Sequence, residues 1–137
     1  MKPPPRHIRM AIVEPLTASL PEVIRAKALA AYKKALVPVF VEHGGLYVQH
    51  LNEFPGPLVK LLWEKVGDGI CKLIPAEAPR RAYVVQMVAH CDGRRITVYE
   101  GRVDGETRTL GEMDPPERLA RSAGGLAYAA LKQGLGI

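Results

Sequence analysis

The sequence predicts an α/β fold in which a mixed β-sheet is flanked by helices. Apolar residues make up 47% of the 137 residues and charged residues 24%, a balance typical of one ordinary domain with a real core. The predicted elements follow one another in the order β-α-β-β-α-α-β-β-α-α, which places helices beside strands along the chain. We expect residues 1–10 to form a flexible, proline-rich arm and residues 11–137 to form a single domain.

A strand and a capped helix are predicted first. Residues 8–14 have the composition of a short strand that ends before Pro15. The helix should span residues 19–36, because Ser19 and Glu22 have the spacing of a capping box. Its apolar stripe consists of Leu20, Ile24, Ala28, Ala31 and Ala35, and the cations off that stripe are predicted to form a solvated surface: Arg25, Lys27, Lys33 and Lys34.

Two strands joined by a tight turn are predicted next. The near-continuous apolar run at residues 37–41 is typical of a strand buried on both faces. Residues 46–51 alternate between apolar and polar side chains, as a second strand would. Between them, Gly44 and Gly45 would let the chain turn tightly.

The strongest local prediction in the chain is a β-hairpin. Two runs of alternating apolar and polar residues flank the turn residues Asp92 and Gly93. In the helix predicted at residues 58–66, four apolar side chains should face inward: Leu58, Leu61, Leu62 and Val66. The other predicted elements are a loop at 52–57, a short helix at 69–74, hairpin strands at 81–91 and 94–103, a turn at Asp104–Gly105, and helices at 114–122 and 126–134.

Composition restricts the partners that the chain could take. Lys and Arg outnumber Asp and Glu by 19 to 14, which gives a net charge of +5 and a pI of about 9.4 and favours an anionic partner such as a nucleotide, nucleic acid or phosphate-rich surface. No signal peptide or membrane-length apolar run is present, so we expect a cytoplasmic protein with no membrane partner. Cys71 and Cys91 are expected to be reduced thiols, and the scattered histidines predict no zinc site.

Two carboxylates, Glu14 and Glu42, stand at the ends of predicted strands. Ligands of open α/β sheets collect outside strand ends, so both carboxylates could face a cleft. The residue pattern alone favours ordinary surface positions for both, with the cleft as the alternative.

A longer motif changes this balance. The stretch "VEHGGLYVQHLNEFPGPLVKLLWEKVGDGICKLI", residues 41–74, resembles the inosine triphosphate pyrophosphatase family, which has a "VE..GL" strand followed by an "FPGP" loop and a lysine. The resemblance continues from about Ala11 to "TLGEMDPPERLARSAGG" at residues 109–125. It implies the family's fold, here without its N-terminal strand and phosphate loop. It also implies the family's activity, Mg²⁺-dependent hydrolysis of noncanonical purine nucleoside triphosphates to the monophosphate and pyrophosphate, usually by a homodimer.

The same resemblance assigns candidate roles to individual residues. His43 stands where the family has its catalytic aspartate, and neutral imidazole is a poor ligand for Mg²⁺. The "SHR" triplet of the family is Ser122-Ala123-Gly124 here, so its histidine and arginine are missing. The implied site consists of His43 and Glu42 as catalytic residues, Glu14 as the metal ligand, and Lys60, Arg118 and Ser122 as nucleotide-binding residues.

We therefore expect a shortened, divergent family member that is catalytically degenerate and retains weak binding of a purine nucleotide or another phosphate anion, as a homodimer. One alternative is an active Mg²⁺-dependent pyrophosphatase with a rebuilt site, in which His43 acts as the general base. The other is a basic module that binds nucleic acid or protein on the same scaffold, with the charge of +5 as its main support. Mg²⁺ is expected as a cofactor only if the chain is active.

Overall fold

The computed structural model describes residues 5–106, with the side chains of Asp68, Ile70 and Cys71 left aside. Its centre is a four-stranded sheet with the strand order β2-β1-β3-β4, flanked by helices, so the predicted fold class is confirmed. Every pairing among the described strands is antiparallel, so the mixture of parallel and antiparallel pairs that the sequence predicted is not seen among them. The elements are α1 (Leu20–Ala35), β1 (Val39–Val48), β2 (Phe54–Gly56), α2 (Val59–Val66), β3 (Arg81–Cys91) and β4 (Ile96–Glu106), with 3₁₀ segments at Gln49–Leu51 and Gly67–Leu73.

Helix α1 begins as the capping pattern predicts. The backbone N–H of Glu22 donates to Ser19 Oγ at 3.3 Å, which satisfies one of the amides that have no partner within the helix. At the other end, Leu36 adopts a left-handed conformation with φ of 58° and stops the helix. The apolar face of α1 packs against the middle of the sheet and forms the larger core cluster, which consists of Leu20, Ile24, Ala28, Val85, Met87, Ala89 and Cys91.

The strand predicted at residues 8–14 is wrong, because this segment has no regular structure. Its Val13 side chain is 97% exposed, so the apolar content that suggested a strand is not buried against a sheet. Side chains of α1 contact the segment instead: Lys34 donates to the carbonyl of Ala11, and Lys27 pairs with Glu14.

The tight turn predicted at Gly44 and Gly45 is also wrong. Strand β1 runs straight through both glycines, which are paired with Gln86 and Val85 of β3. The glycines make room for side chains: a Cβ on Gly44 would overlap Gln86 Oε1, and a Cβ on Gly45 would lie 2.8 Å from the ring of Tyr47.

Two further turn predictions need correction. Residues 54–56 of the "FPGP" motif form strand β2 rather than a loop, with a cis peptide bond between Phe54 and Pro55. Strand β4 continues through Asp104–Gly105 to Glu106, because Gly105 remains paired with Ala82 of β3. A turn signal in the sequence is overridden here by pairing with a long neighbouring strand.

The predicted hairpin is confirmed at β3 and β4. The two strands are paired from Arg81↔Glu106 to Cys91↔Ile96. Asp92 Oδ1 accepts the backbone N–H groups of Arg94 and Arg95, each at 2.9 Å, and these hydrogen bonds lower the pKa of the Asp92 carboxyl.

The face of the sheet that α1 covers also carries a stacked pair of tyrosine rings. The rings of Tyr47 and Tyr83 are nearly parallel, with centroids 4.9 Å apart. The Arg102 guanidinium lies 3.7 Å from the centroid of Tyr83, and the Tyr83 hydroxyl donates to Glu53. Tyr83 is therefore held by both faces of its ring and by its hydroxyl.

Helix α2 lies over the opposite face of the sheet, next to a smaller core cluster of Leu46, Val48, Ile74 and Val84. Leu62 packs against that cluster as predicted, whereas Leu61 and Val66 are 50% and 47% exposed and do not face inward. Among the described residues, no helix is both long enough and apolar enough to cross a membrane. The helices predicted at 114–122 and 126–134 and the thiol of Cys71 lie outside the described part of the chain.

Candidate functional site

A cavity of about 390 Å³ opens between the segment before α1, α1 itself, β1 and the start of α2. Its charged and titratable side chains come from each of these elements, and its remaining walls are apolar or proline. The lining residues are Glu14, Pro15, Leu16, Val23, Lys27, His43, Pro57, Leu58, Lys60, Leu61 and Glu64.

Lys27 is the centre of the polar contacts at this cavity. Its Nζ lies 3.3 Å from Glu14 Oε1 and donates to the backbone carbonyl of Glu42 at 2.8 Å. The lysine side chain is 23% exposed and that of Glu14 is 36% exposed, so water only partly screens the pair. Lys27 therefore fastens the irregular N-terminal segment to the central sheet through the body of α1.

Both ring nitrogens of His43 are directed at oxygen atoms. Nε2 lies 3.1 Å from the carbonyl oxygen of Pro57, which can only accept a hydrogen bond, so Nε2 carries the hydrogen. Nδ1 lies 3.6 Å from Glu14 Oε2. With its side chain only 15% exposed, His43 is held between the N-terminal segment and the loop before α2.

The structure brings Glu14, His43 and Lys60 together at one cavity and leaves Glu42 outside it. Neighbouring residues of a strand point to opposite faces of a sheet. Since β1 is continuous, His43 lies on the face covered by α1, and the side chain of Glu42 is exposed on the other face. Only the backbone carbonyl of Glu42 takes part, as an acceptor for Lys27. Arg118 and Ser122 lie outside the described residues.

Two charged residues of the cavity were missed from the sequence. Lys27 was assigned to a solvated face, yet it lies one helical turn after Val23, which is buried and lines the same cavity. This spacing of four residues places both side chains on one face of the helix, and it could have identified Lys27 from the sequence. Glu64 follows Lys60 by the same spacing on α2, so both side chains reach the cavity from one face of the helix.

The described side chains alone do not form a complete site for Mg²⁺. Magnesium prefers an octahedral set of oxygen ligands, usually one or two carboxylates with water and substrate phosphates. Among the side chains that the structure describes, no group of three or more His, Cys, Asp or Glu residues could hold a metal. Of the two carboxylates at the cavity, that of Glu14 is already paired with Lys27 and faces His43.

Comparison with known sequences gives a consistent picture. Residues 6–109 match the model of the Ham1 family. The chain is 35% identical over 103 residues to the dITP/XTP pyrophosphatase of Korarchaeum cryptofilum, covering 73% of this chain and 55% of the relative. It is also 35% identical over 101 residues to inosine triphosphate pyrophosphatase 2 of Trypanosoma cruzi, covering 72% of this chain and 52% of the relative. The chain thus spans about half the length of the curated relatives it matches.

Solved structures support the same fold. A HAM1 protein from Coxiella burnetii superposes with a TM-score of 0.70 at 21% identity, covering 90% of this chain and 80% of the other. A nucleoside-triphosphatase / dITP/XTP pyrophosphatase from Mycobacterium abscessus gives a TM-score of 0.65 at 24% identity, covering 90% and 79%. The resemblance inferred from the "VE..GL" and "FPGP" motifs is therefore confirmed, and the chain belongs to the Ham1 family, with the inosine triphosphate pyrophosphatases among its relatives.

Proposed function

We propose that this Ham1-family chain binds a purine nucleotide through its phosphate, at the cavity lined by Glu14, Lys27 and Lys60, and does not hydrolyse it. Lys27 and Lys60 supply two ammonium groups at the cavity, and the largely covered Lys27 interacts with an anion more strongly than it would in water. The apolar walls leave room for the uncharged part of a ligand. Curated relatives named as dITP/XTP or inosine triphosphate pyrophosphatases support a purine nucleotide as that ligand.

The arrangement around His43 is the main support for the proposed loss of hydrolysis. A general base must present a free lone pair to the attacking water. In this cavity Nε2 of His43 donates its hydrogen to Pro57, and the lone pair on Nδ1 faces Glu14 Oε2 at 3.6 Å, a gap too short to hold a water molecule. Glu14 in turn is paired with Lys27, so binding a metal ion there would require this ion pair to break. Losing even one electrostatic donor costs about 2.7–4 kcal/mol of transition-state stabilisation, and here the base is obstructed and the expected metal ligand is paired with a lysine.

Titration calorimetry with inosine monophosphate tests the binding. We expect a saturable heat for the unmodified chain and at least a tenfold weaker affinity for Lys60→Met. The matched control is Lys65→Met, because Lys65 is an exposed cation of the same helix that does not line the cavity. Equal losses in both variants would indicate a general charge effect and contradict binding at this cavity.

An active Mg²⁺-dependent pyrophosphatase is the second candidate, and the names of the curated relatives favour it. On this alternative, Mg²⁺ would arrive with the phosphates of the substrate, and Glu14 would leave Lys27. Pyrophosphate release from ITP, XTP and dITP with Mg²⁺ decides between the two. Release that disappears in both Glu14→Gln and His43→Ala would establish the active enzyme and refute the degenerate one.

A homodimer and a cytoplasmic location belong to the same proposal, on the basis of the family resemblance. Exposed apolar side chains on and after α2, such as Val66 and Leu73, support a second copy as the covering surface. Sedimentation equilibrium of the unmodified chain and of Leu73→Glu measures this, and a monomer at all concentrations would exclude the dimer. Nucleic acid remains a further candidate partner because of the charge of +5, and it predicts binding that weakens steeply with salt.

A further inference from the structure

We infer that the cavity selects a nucleoside monophosphate over the corresponding triphosphate, an inference that rests on the proposed nucleotide binding. The charged side chains that line it are two lysines, Lys27 and Lys60, and two glutamates, Glu14 and Glu64. The two ammonium groups together match the charge of a single phosphate group, about −1.5 to −2 at neutral pH, whereas further phosphoryl groups add negative charge that no other described lysine or arginine of the lining offsets.

Neither lysine is free of a neighbouring carboxylate. Lys27 is already paired with Glu14 at 3.3 Å. Lys60 and Glu64 are four residues apart on α2, which places them on one face of the helix, and both line the cavity. A single phosphoryl group could lie against the lysines with the carboxylates at its edge. The second and third groups of a triphosphate would have to approach Glu14 or Glu64, where like charges repel each other.

The rest of the cavity favours the same ligand. Its other walls are apolar, with Leu16, Val23, Leu58 and Leu61 among them. Such walls suit a sugar and a base rather than additional phosphates, which would lose their hydration without gaining a partner. The volume of about 390 Å³ lies at the lower end of the range of roughly 300–1,000 Å³ that is usual for small-molecule sites.

Calorimetric titration of the full chain with IMP, IDP and ITP tests this selectivity. The three titrations are run at equal ionic strength and with a chelator, so that no metal neutralises the phosphates. We expect IMP to bind at least tenfold more tightly than ITP, with IDP between them. ITP affinity equal to or tighter than that of IMP would overturn the selectivity and leave the proposed binding intact. If none of the three nucleotides binds, the proposed function itself fails and the selectivity with it.

A single substitution tests the cause. Glu64→Gln removes one carboxylate and keeps the shape of the side chain, so it should improve ITP binding at least threefold more than IMP binding. Glu77→Gln is the matched control, because Glu77 is exposed and does not line the cavity. If Glu64→Gln and Glu77→Gln change the IMP-to-ITP ratio equally, the carboxylate of the cavity is not the source of the selectivity. Thermal unfolding of each variant establishes that both are folded.

Discussion

The Lys27–Glu14 contact predicts a measurable link between the N-terminal segment and the rest of the fold. Two unit charges 4 Å apart interact by about 4 kcal/mol at the effective dielectric constant of a protein surface, before the loss of hydration is subtracted. Exposed pairs retain only about 0.2–1 kcal/mol. With the two side chains 23% and 36% exposed and their charges 3.3 Å apart, we expect a coupling near the top of that range, about 1 kcal/mol.

A double-mutant cycle measures this coupling directly. Urea unfolding is followed for the unmodified chain, Lys27→Met, Glu14→Gln and the double variant, and the coupling energy follows from the four free energies of unfolding. Lys27→Met should be the more destabilising single change, because it also removes the hydrogen bond to the carbonyl of Glu42. Equal effects of the two single variants, or a coupling below about 0.3 kcal/mol, would refute the role we assign to Lys27.

Three further changes test the fold. Ile24→Ala should lower the free energy of unfolding by about 2–5 kcal/mol, measured by urea denaturation, because Ile24 is completely buried in the larger core cluster; a loss below 1 kcal/mol would contradict that packing. Gly45→Ala should destabilise by about 1–3 kcal/mol in the same assay, since the new Cβ would lie 2.8 Å from the stacked ring of Tyr47, and an unchanged midpoint would place the glycine in a turn after all. The third change is in pH. The hydrogen bond to Glu53, together with burial, raises the pKa of Tyr83 from 10.0 to about 12. The protonated tyrosine therefore stabilises the fold below pH 10, and this contribution is lost as the pH rises towards 12. The urea midpoint should therefore fall over that interval, and Tyr83→Phe should fall less; identical pH profiles would exclude the hydrogen bond as the cause.

Local signals in the sequence were enough to predict the elements whose ends are set by neighbouring residues. Ser19 and Glu22 mark the start of α1 because a cap is a contact between residues three apart. The β3–β4 hairpin was predicted from Asp92–Gly93 for the same reason, since the carboxylate of Asp92 organises its own turn.

The path of β1 could not be predicted in this way. The glycines at 44 and 45 look like a turn, but they are required by Gln86, on a strand far along the chain, and by the ring of Tyr47. A glycine that accommodates a distant side chain gives the same sequence signal as one that turns the chain. The strand expected at residues 8–14 failed for a related reason, because an apolar run forms a strand only where a neighbouring edge is available to it.

The site was predicted in part. The family resemblance named Glu14, His43 and Lys60, which the structure brings to one cavity. It also named Glu42, which does not line the cavity. Because β1 is continuous, neighbouring side chains alternate between the two faces of the sheet, and Glu42 lies on the face opposite His43. Lys27 was missed because a cation beside an apolar stripe is usually solvated, and only the fold shows that the N-terminal segment lies against it.

The central claim is that the nucleotide is held without being cleaved, and phosphorus NMR of ITP tests it most directly. The spectrum is recorded with the chain and Mg²⁺ over time, so that bound and cleaved phosphates are seen together. We predict broadened or shifted phosphate resonances, the sign of weak binding, and no growth of a pyrophosphate signal above the protein-free control. A pyrophosphate signal that grows with the unmodified chain and is absent with His43→Ala would contradict the account.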